Sequence, residues 1–185
     1  MPKIIPGIRD MIILTAHNQI MSGGYDAVSL LKIAEKCNIA VGTTYNYFNS
    51  KEELINAVIM DDWNHTFDQV ERENSPDIGV SIENDFMHMY DAIEKFFKIY
   101  TKGLAKRSRS KNARNFIDDK HEDFVADLTR RYKDTIRRYG YKESESFLKL
   151  VAEASISAAQ EDIDDYEFEE LIERILAVTK TRKRK

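Results

Sequence analysis

Thr43, Thr44, Tyr45, Asn46 and Tyr47 put four hydroxyls and one carboxamide into five consecutive positions, and no residue from Val41 to Phe48 is charged. The run offers hydrogen bonding and apolar contact rather than acid–base or nucleophilic chemistry. A carboxamide can pair bidentately with the edge of adenine, and small apolar groups can meet the methyl of thymine. Asn46 is the candidate for the first contact; Val41 and Thr44 are the candidates for the second. Tyr45 packs either on a nucleic-acid backbone or inward, and Phe48 reads as core. Lys51 stands at a helix start, where a cation joins exposed backbone N–H groups in a geometry suited to phosphate. Ser29 holds a similar position on the preceding helix.

These residues need rigid placement, and the surrounding sequence supplies it. Ser29 is a good N-cap for a helix running to about Cys37, with Leu30, Ile33, Ala34 and Cys37 on its inner face. Asn38 follows, one of the few residue types that tolerate a left-handed turn. Val41 to Phe48 then makes a second short helix. Two helices joined by so short a turn form a helix-turn-helix, whose second helix lies in the major groove of DNA. Ser50 and Glu53 have the spacing of a capping box that starts a third helix.

Taken together, Ile33-Ala34, Ile39, Gly42-Thr43, Tyr45, Tyr47-Phe48 and Ser50-Lys51-Glu52-Glu53-Leu54 resemble the TetR family of transcriptional regulators in order and spacing. The resemblance covers roughly residues 8 to 60, the extent of a three-helix DNA-binding head. It implies that Thr43 and Tyr47 contact phosphate and sugar, and that Gly42 belongs to the DNA-facing set. Four departures stand out. Asn38 replaces the usual Gly, and Ala40 replaces a capping Ser or Thr, a cap worth about 1 kcal/mol. Val41 stands where Lys or Arg is common. Only Lys3 and Arg9 precede the first helix as basic residues.

Composition allows this reading without demanding it. The 185 residues include three prolines and seven glycines, which favours long helices, and the net charge is −4. Residues 1 to 60 hold five Lys/Arg and five Asp/Glu, so charge alone does not mark a nucleic-acid binder. Cys37 is the one cysteine, read as a small buried thiol. His17, His65, His88 and His121 form no H-x-x-x-H pair, so no metal site and no cofactor is expected. No phosphate loop, nucleophile motif or alternating strand pattern points to an enzyme, and no catalytic residue is assigned. No leader-like start and no apolar run long enough to span a bilayer is present, so the expected location is cytoplasmic with no membrane partner.

The expected fold is all-α, a three-helix head followed by a helical-bundle body. Expected boundaries are 1–50 for the head, 51–179 for a regulatory and dimerisation body, and 180–185 for a basic tail. Ile5, Ile8, Ile12, Ala16 and Ile20 predict a first helix ending at Ser22-Gly23-Gly24. Leu54, Ile55, Val58, Ile59, Trp63, Phe67 and Val70 carry one stripe from the head onward, until Asn74 to Asp77 break it. Ile82 to Leu104 and Ile117 to Tyr139 predict two more helices, separated by the basic stretch Lys106 to Arg114. Trp63, Phe67, Phe86, Tyr90, Phe97, Tyr100 and Phe124 line an apolar inducer pocket on one reading and form ordinary core on the other. Phe147, Val151, Ala154, Ser155, Ala158, Phe168, Leu171, Ile172 and Ile175 mark two final helices. Their small residues permit close pairing with a second copy, an arrangement the resemblance also implies. The expected function is a ligand-responsive DNA-binding regulator, a repressor acting as a homodimer on a palindromic operator and released by an apolar or amphipathic inducer. The alternative is a helical protein-interaction module with a weak or vestigial head.

Overall fold

The computed structural model describes residues 6–73, 81–100, 120–161, 168, 170–175 and 177, without the side chains of 69–71 and 73. Seven helices follow in order: α1 (Ile8–Gly23), α2 (Leu30–Lys36), α3 (Val41–Tyr47), α4 (Lys51–Glu73), α5 (Ile82–Phe97), α6 (His121–Arg138) and α7 (Glu145–Glu161). A 3₁₀ turn, Tyr25–Ala27, lies between α1 and α2, and residues 170–175 are also helical. No strand occurs among the described residues, and the fold is all-α as expected. Two compact units divide within α4, after His65, rather than at residue 50. The first is Met1–His65 with Ile99–Ile117, and the second is Thr66–Lys98 with Asp118–Lys185.

In the first unit, Ile8, Ile12, Ile13, Ala16 and Ile20 bury one face of α1. Gly24 stops the helix at φ 73°, and its N–H reaches the Ile20 carbonyl at 2.7 Å. Ser29 caps α2, its Oγ accepting the Lys32 N–H at 3.4 Å. Ile33, Ala34 and Cys37 are buried, whereas Leu30 is only half-buried. Asn38 takes φ 52°. Its N–H bonds to the Glu35 carbonyl at 3.1 Å, and the Ile39 N–H reaches back to Ala34 at 3.0 Å. This pair of bonds is a Schellman motif with Asn in the left-handed place usually taken by Gly. Ala40 starts α3 without a side-chain cap.

The start of α4 differs in one arm from the expected box. Ser50 Oγ accepts the Glu53 N–H at 3.1 Å, as expected. The Glu53 carboxylate bypasses Ser50 and accepts the Asn49 N–H at 2.8 Å and the Asn49 side-chain amide at 2.9 Å. Leu54, Ile55, Val58, Ile59 and Trp63 are all buried. Asp62, also on α4, shares Oδ2 between His17 Nδ1, at 2.8 Å, and the Tyr100 hydroxyl. Burial, reinforced by the Asp62 charge, pushes the Tyr100 phenol far above its ordinary range.

In the second unit, α6 and α7 pack together and α5 packs on both. Phe86 stacks on Tyr132 at 4.6 Å between ring centroids, Tyr90 stacks on Phe168 at 3.6 Å, and Phe97 meets Phe124 edge-on at 5.9 Å. The Tyr132 hydroxyl donates to Ser155 Oγ at 2.8 Å, which in turn donates to the Val151 carbonyl at 2.9 Å. Gly140, at φ 75°, closes α6 with a second Schellman motif, through bonds of 2.9 Å to Arg137 and from Tyr141 to Ile136.

Two expectations are corrected by this packing, and a third is narrowed. Thr44 is 0% exposed, on the inner side of α3, so it does not face a groove. Val151, Ser155, Ala158, Phe168 and Ile172 are at most 4% exposed within a single chain, so they serve its own core rather than a second copy. Trp63, Phe67, Phe86, Tyr90, Phe97, Tyr100 and Phe124 are each at most 2% exposed. Trp63 and Tyr100 belong to the first unit and the other five to the second. Of the two readings given to these seven residues, their burial favours ordinary core. Ile5, Leu104, Phe116, Ile117 and Leu176, the 74–77 break, the 106–114 stretch and the 180–185 tail lie outside the described residues.

Two substitutions test the head. Asn38→Ala should lower the unfolding free energy by about 1 kcal/mol in urea titration, because Ala resists a left-handed backbone. Thr44 Oγ1 is buried with no hydrogen-bond partner among the described residues. Thr44→Val should therefore keep stability or raise it by about 1 kcal/mol. A loss on Thr44→Val would show that the hydroxyl has a partner.

Candidate nucleic-acid interface

The Schellman turn at Asn38 sends α3 off the end of α2, and the burial pattern shows how α3 is rotated. Thr44 and Phe48 point inward, one turn apart. Gly42, Tyr45 and Asn46 are exposed, at the i, i+3, i+4 spacing of one outer face. Tyr45 leaves 49% of its surface open, so it does not pack inward on the head. Val41, Thr43 and Tyr47 are half-buried at the edges of that face. Of the predicted set, the structure brings Val41, Gly42, Thr43, Tyr45, Asn46 and Tyr47 to one accessible surface and withdraws Thr44.

Gly42 carries a further signal. It sits in α3, and a Cβ added there would meet no atom within 4 Å. The chain's own packing does not require a residue without a side chain at this place. A bare stretch of backbone on the outer face lets another molecule approach closely.

Ser29 and Lys51 start the helices on either side of α3. Ser29 is occupied on both polar groups. Its Oγ caps α2, and its N–H donates to Gln19 Oε1 at 3.0 Å. Lys51 is half-buried, with Nζ 4.3 Å from the centroid of the Tyr25 ring. The hydroxyl of the same tyrosine donates to Glu52 Oε1 at 2.9 Å. Glu52's own backbone N–H, followed by this tyrosine bond, holds its carboxyl below the usual carboxylate range. Arg9, expected before the first helix, lies inside α1, 5.5 Å over the Phe48 ring, and so packs on the head's own core. Tyr25 is the residue that sequence reasoning missed. Its place among the small residues before Ser29 gave no sign of a partner at position 51.

Among the described residues no group of three or more His, Cys, Asp or Glu is arranged to hold a metal, and no helix is long and apolar enough to cross a membrane.

Comparison with known proteins agrees with this geometry. The pattern of the family described as bacterial regulatory proteins, tetR family, matches residues 12–58, which run from α1 into α4. The uncharacterized HTH-type transcriptional regulator YvdT of Bacillus subtilis (strain 168) is 39% identical over 70 residues, 38% of this chain and 36% of that protein. YdeS of the same organism, described in the same words, is 32% identical over 82 residues, 44% of this chain and 38% of that protein. The chain thus spans little more than a third of the length of the curated relatives it matches. Among solved structures, Salmonella enterica GusR aligns with a TM-score of 0.54 at 18% identity, over 97% of this chain and 100% of that one. Bacillus subtilis FadR, solved in complex with stearoyl-CoA, aligns at 0.50 and 17% identity, over 93% and 94%. These structural likenesses establish the shared fold. A helix-turn-helix with an outward, uncharged α3 thus coincides with the stretch, residues 12–58, that matches the tetR family of bacterial regulatory proteins.

Proposed function

We propose that this protein is a sequence-specific DNA-binding transcriptional regulator, acting as a homodimeric repressor on a two-fold symmetric operator. The observation that carries the reading is the outer face of α3, where Gly42, Tyr45 and Asn46 are exposed together. Asn46 reads adenine, Val41 meets a thymine methyl, and Thr43 and Tyr47 hold the backbone. Lys51 contributes a phosphate contact from the first turn of α4. Ser29 stands behind these residues as a cap.

Two heads must enter the major groove one helical turn apart, so their spacing sets affinity. A ligand that binds better when the heads are misplaced lowers occupancy of the operator. Helix α4 is the element suited to carry such a change, because it runs unbroken from Lys51 in the first unit to Glu73 in the second. A fold neighbour was solved in complex with stearoyl-CoA, and an apolar or amphipathic ligand is the class proposed here. The dimer face moves from its expected place. Phe147, Leu150 and Ala154 lie on one side of α7, with Leu150 63% exposed and the other two half-buried. Leu171 and Ile175, both half-buried, complete the candidate set.

Selection from a random duplex library at low and moderate salt tests the function. A two-fold symmetric motif, with affinity falling steeply as salt rises, is the expected result. No enrichment at either salt would favour a protein-interaction module, which the neutral charge of the head keeps as the second reading. On the selected duplex, Gly42→Ala should weaken binding while stabilising the free head by up to about 1 kcal/mol through helix propensity. Leu150→Lys should convert dimer to monomer in sedimentation with little change in monomer stability, because the side chain is exposed within one chain. A dimer that persists would move the interface off this face of α7.

A further inference from the structure

We propose that Tyr25 is a positioning residue for DNA binding, a post whose ring face holds the Lys51 ammonium and whose hydroxyl holds the Glu52 carboxylate. The proposal rests on the reading of Lys51 as a phosphate contact.

The geometry is specific. Tyr25 belongs to the 3₁₀ turn that leads into Ser29 and α2, and it is 8% exposed. Its ring and backbone are therefore fixed by the head. From that fixed place it reaches both charged residues of the first two positions of α4. Lys51 Nζ lies 4.3 Å from the ring centroid, within the range of a cation–π contact. Glu52 Oε1 takes the hydroxyl proton at 2.9 Å.

Two consequences follow for an incoming phosphate. A lysine on a four-carbon stem has many rotamers, and ordering it on contact costs entropy. The Tyr25 face holds the ammonium already placed, with its remaining N–H donors directed away from the ring. The second consequence is electrostatic. Glu52 adjoins Lys51 at a helix N-terminus that should receive an anion, and a mobile carboxylate there would compete with phosphate. The tyrosine hydroxyl ties that carboxylate down. One side chain thus holds the cation and restrains the anion. Because Tyr25 also precedes the Ser29 cap, the same post joins the starts of α2 and α4.

The test is a double-mutant cycle with the full chain, binding the duplex selected by the wild-type protein. Lys51→Met should weaken binding and flatten its salt dependence by about one phosphate contact. Tyr25→Leu should weaken binding about two- to fivefold in the wild-type background and have no further effect in the Lys51→Met background. Tyr25→Phe, which keeps the ring but releases Glu52, should lose part of the affinity, less than Tyr25→Leu loses. Additive losses, or Tyr25→Phe as damaging as Tyr25→Leu, would overturn the positioning role while leaving the Lys51 contact intact. An unchanged affinity in Lys51→Met would remove the contact itself and the proposal with it. If Tyr25→Leu does not fold, the ring-current shift of the Lys51 ε-methylene protons decides. It should be present in the wild type and in Tyr25→Phe, and its absence from the wild type would overturn the proposal.

Discussion

The head depends on one backbone constraint, the left-handed residue between α2 and α3. Asn38 at φ 52° turns the chain, and the two bonds to Glu35 and Ala34 finish α2. Only that turn allows α3 to start three residues later with Thr44 and Phe48 inward. Rotating α3 by a third of a turn would bury Asn46 or expose Phe48. The outer face is therefore a consequence of the turn as much as of the residues on it. Asn is an adequate solution because it visits this region more readily than most side chains, while Gly does so with less strain.

Around that turn the head is held by local polar bonds at each helix end and by a shared apolar interior. Ile12, Ile13, Ala16, Ile20, Ile33, Ala34, Leu54 and Val58 come from three helices, Phe48 follows directly on α3, and all are buried. Short helices of seven residues are not stable alone, so α2 and α3 rely on this interior. The missing side-chain cap at Ala40 is tolerable for the same reason. Packing, rather than capping, holds α3.

Features decided within a few residues were legible in the sequence. Ser29 as a cap, Asn38 as a turn, Ser50 with Glu53 as a helix start, and Gly24 as a stop depend on chemistry within one turn of chain. The long apolar stripes of α4, α5 and α6 were legible for a similar reason, since their periodicity repeats many times. What was not legible was the angular sector that each short or mixed helix turns inward. Thr44 and Asn46 are both small polar residues of an uncharged helix, and only the packed head separates them. On α7 the buried side rotates toward Ala152 and Ile156, which leaves Leu150 outside and brings Ser155 and Ala158 in. The aromatic residues of α4 and α5 have the same periodicity whether they line a cavity or fill a core. The Tyr25–Lys51 contact joins residues far apart in sequence, and periodicity carries no information about such a pair.

The carboxylate of Asp62 has a consequence for how this architecture can be recombined. It is shared by His17, from the first helix of the chain, and by Tyr100, which follows α5. The first unit is thus closed by a residue that the chain delivers only after it has left that unit and returned. A DNA-binding head cut off after α4 would lack this closure. The head is not a cassette that can be grafted by its N-terminal sequence alone. A chimaera joined within α4 must either carry a partner equivalent to Tyr100 from the same parent or leave Asp62 without the Tyr100 hydroxyl.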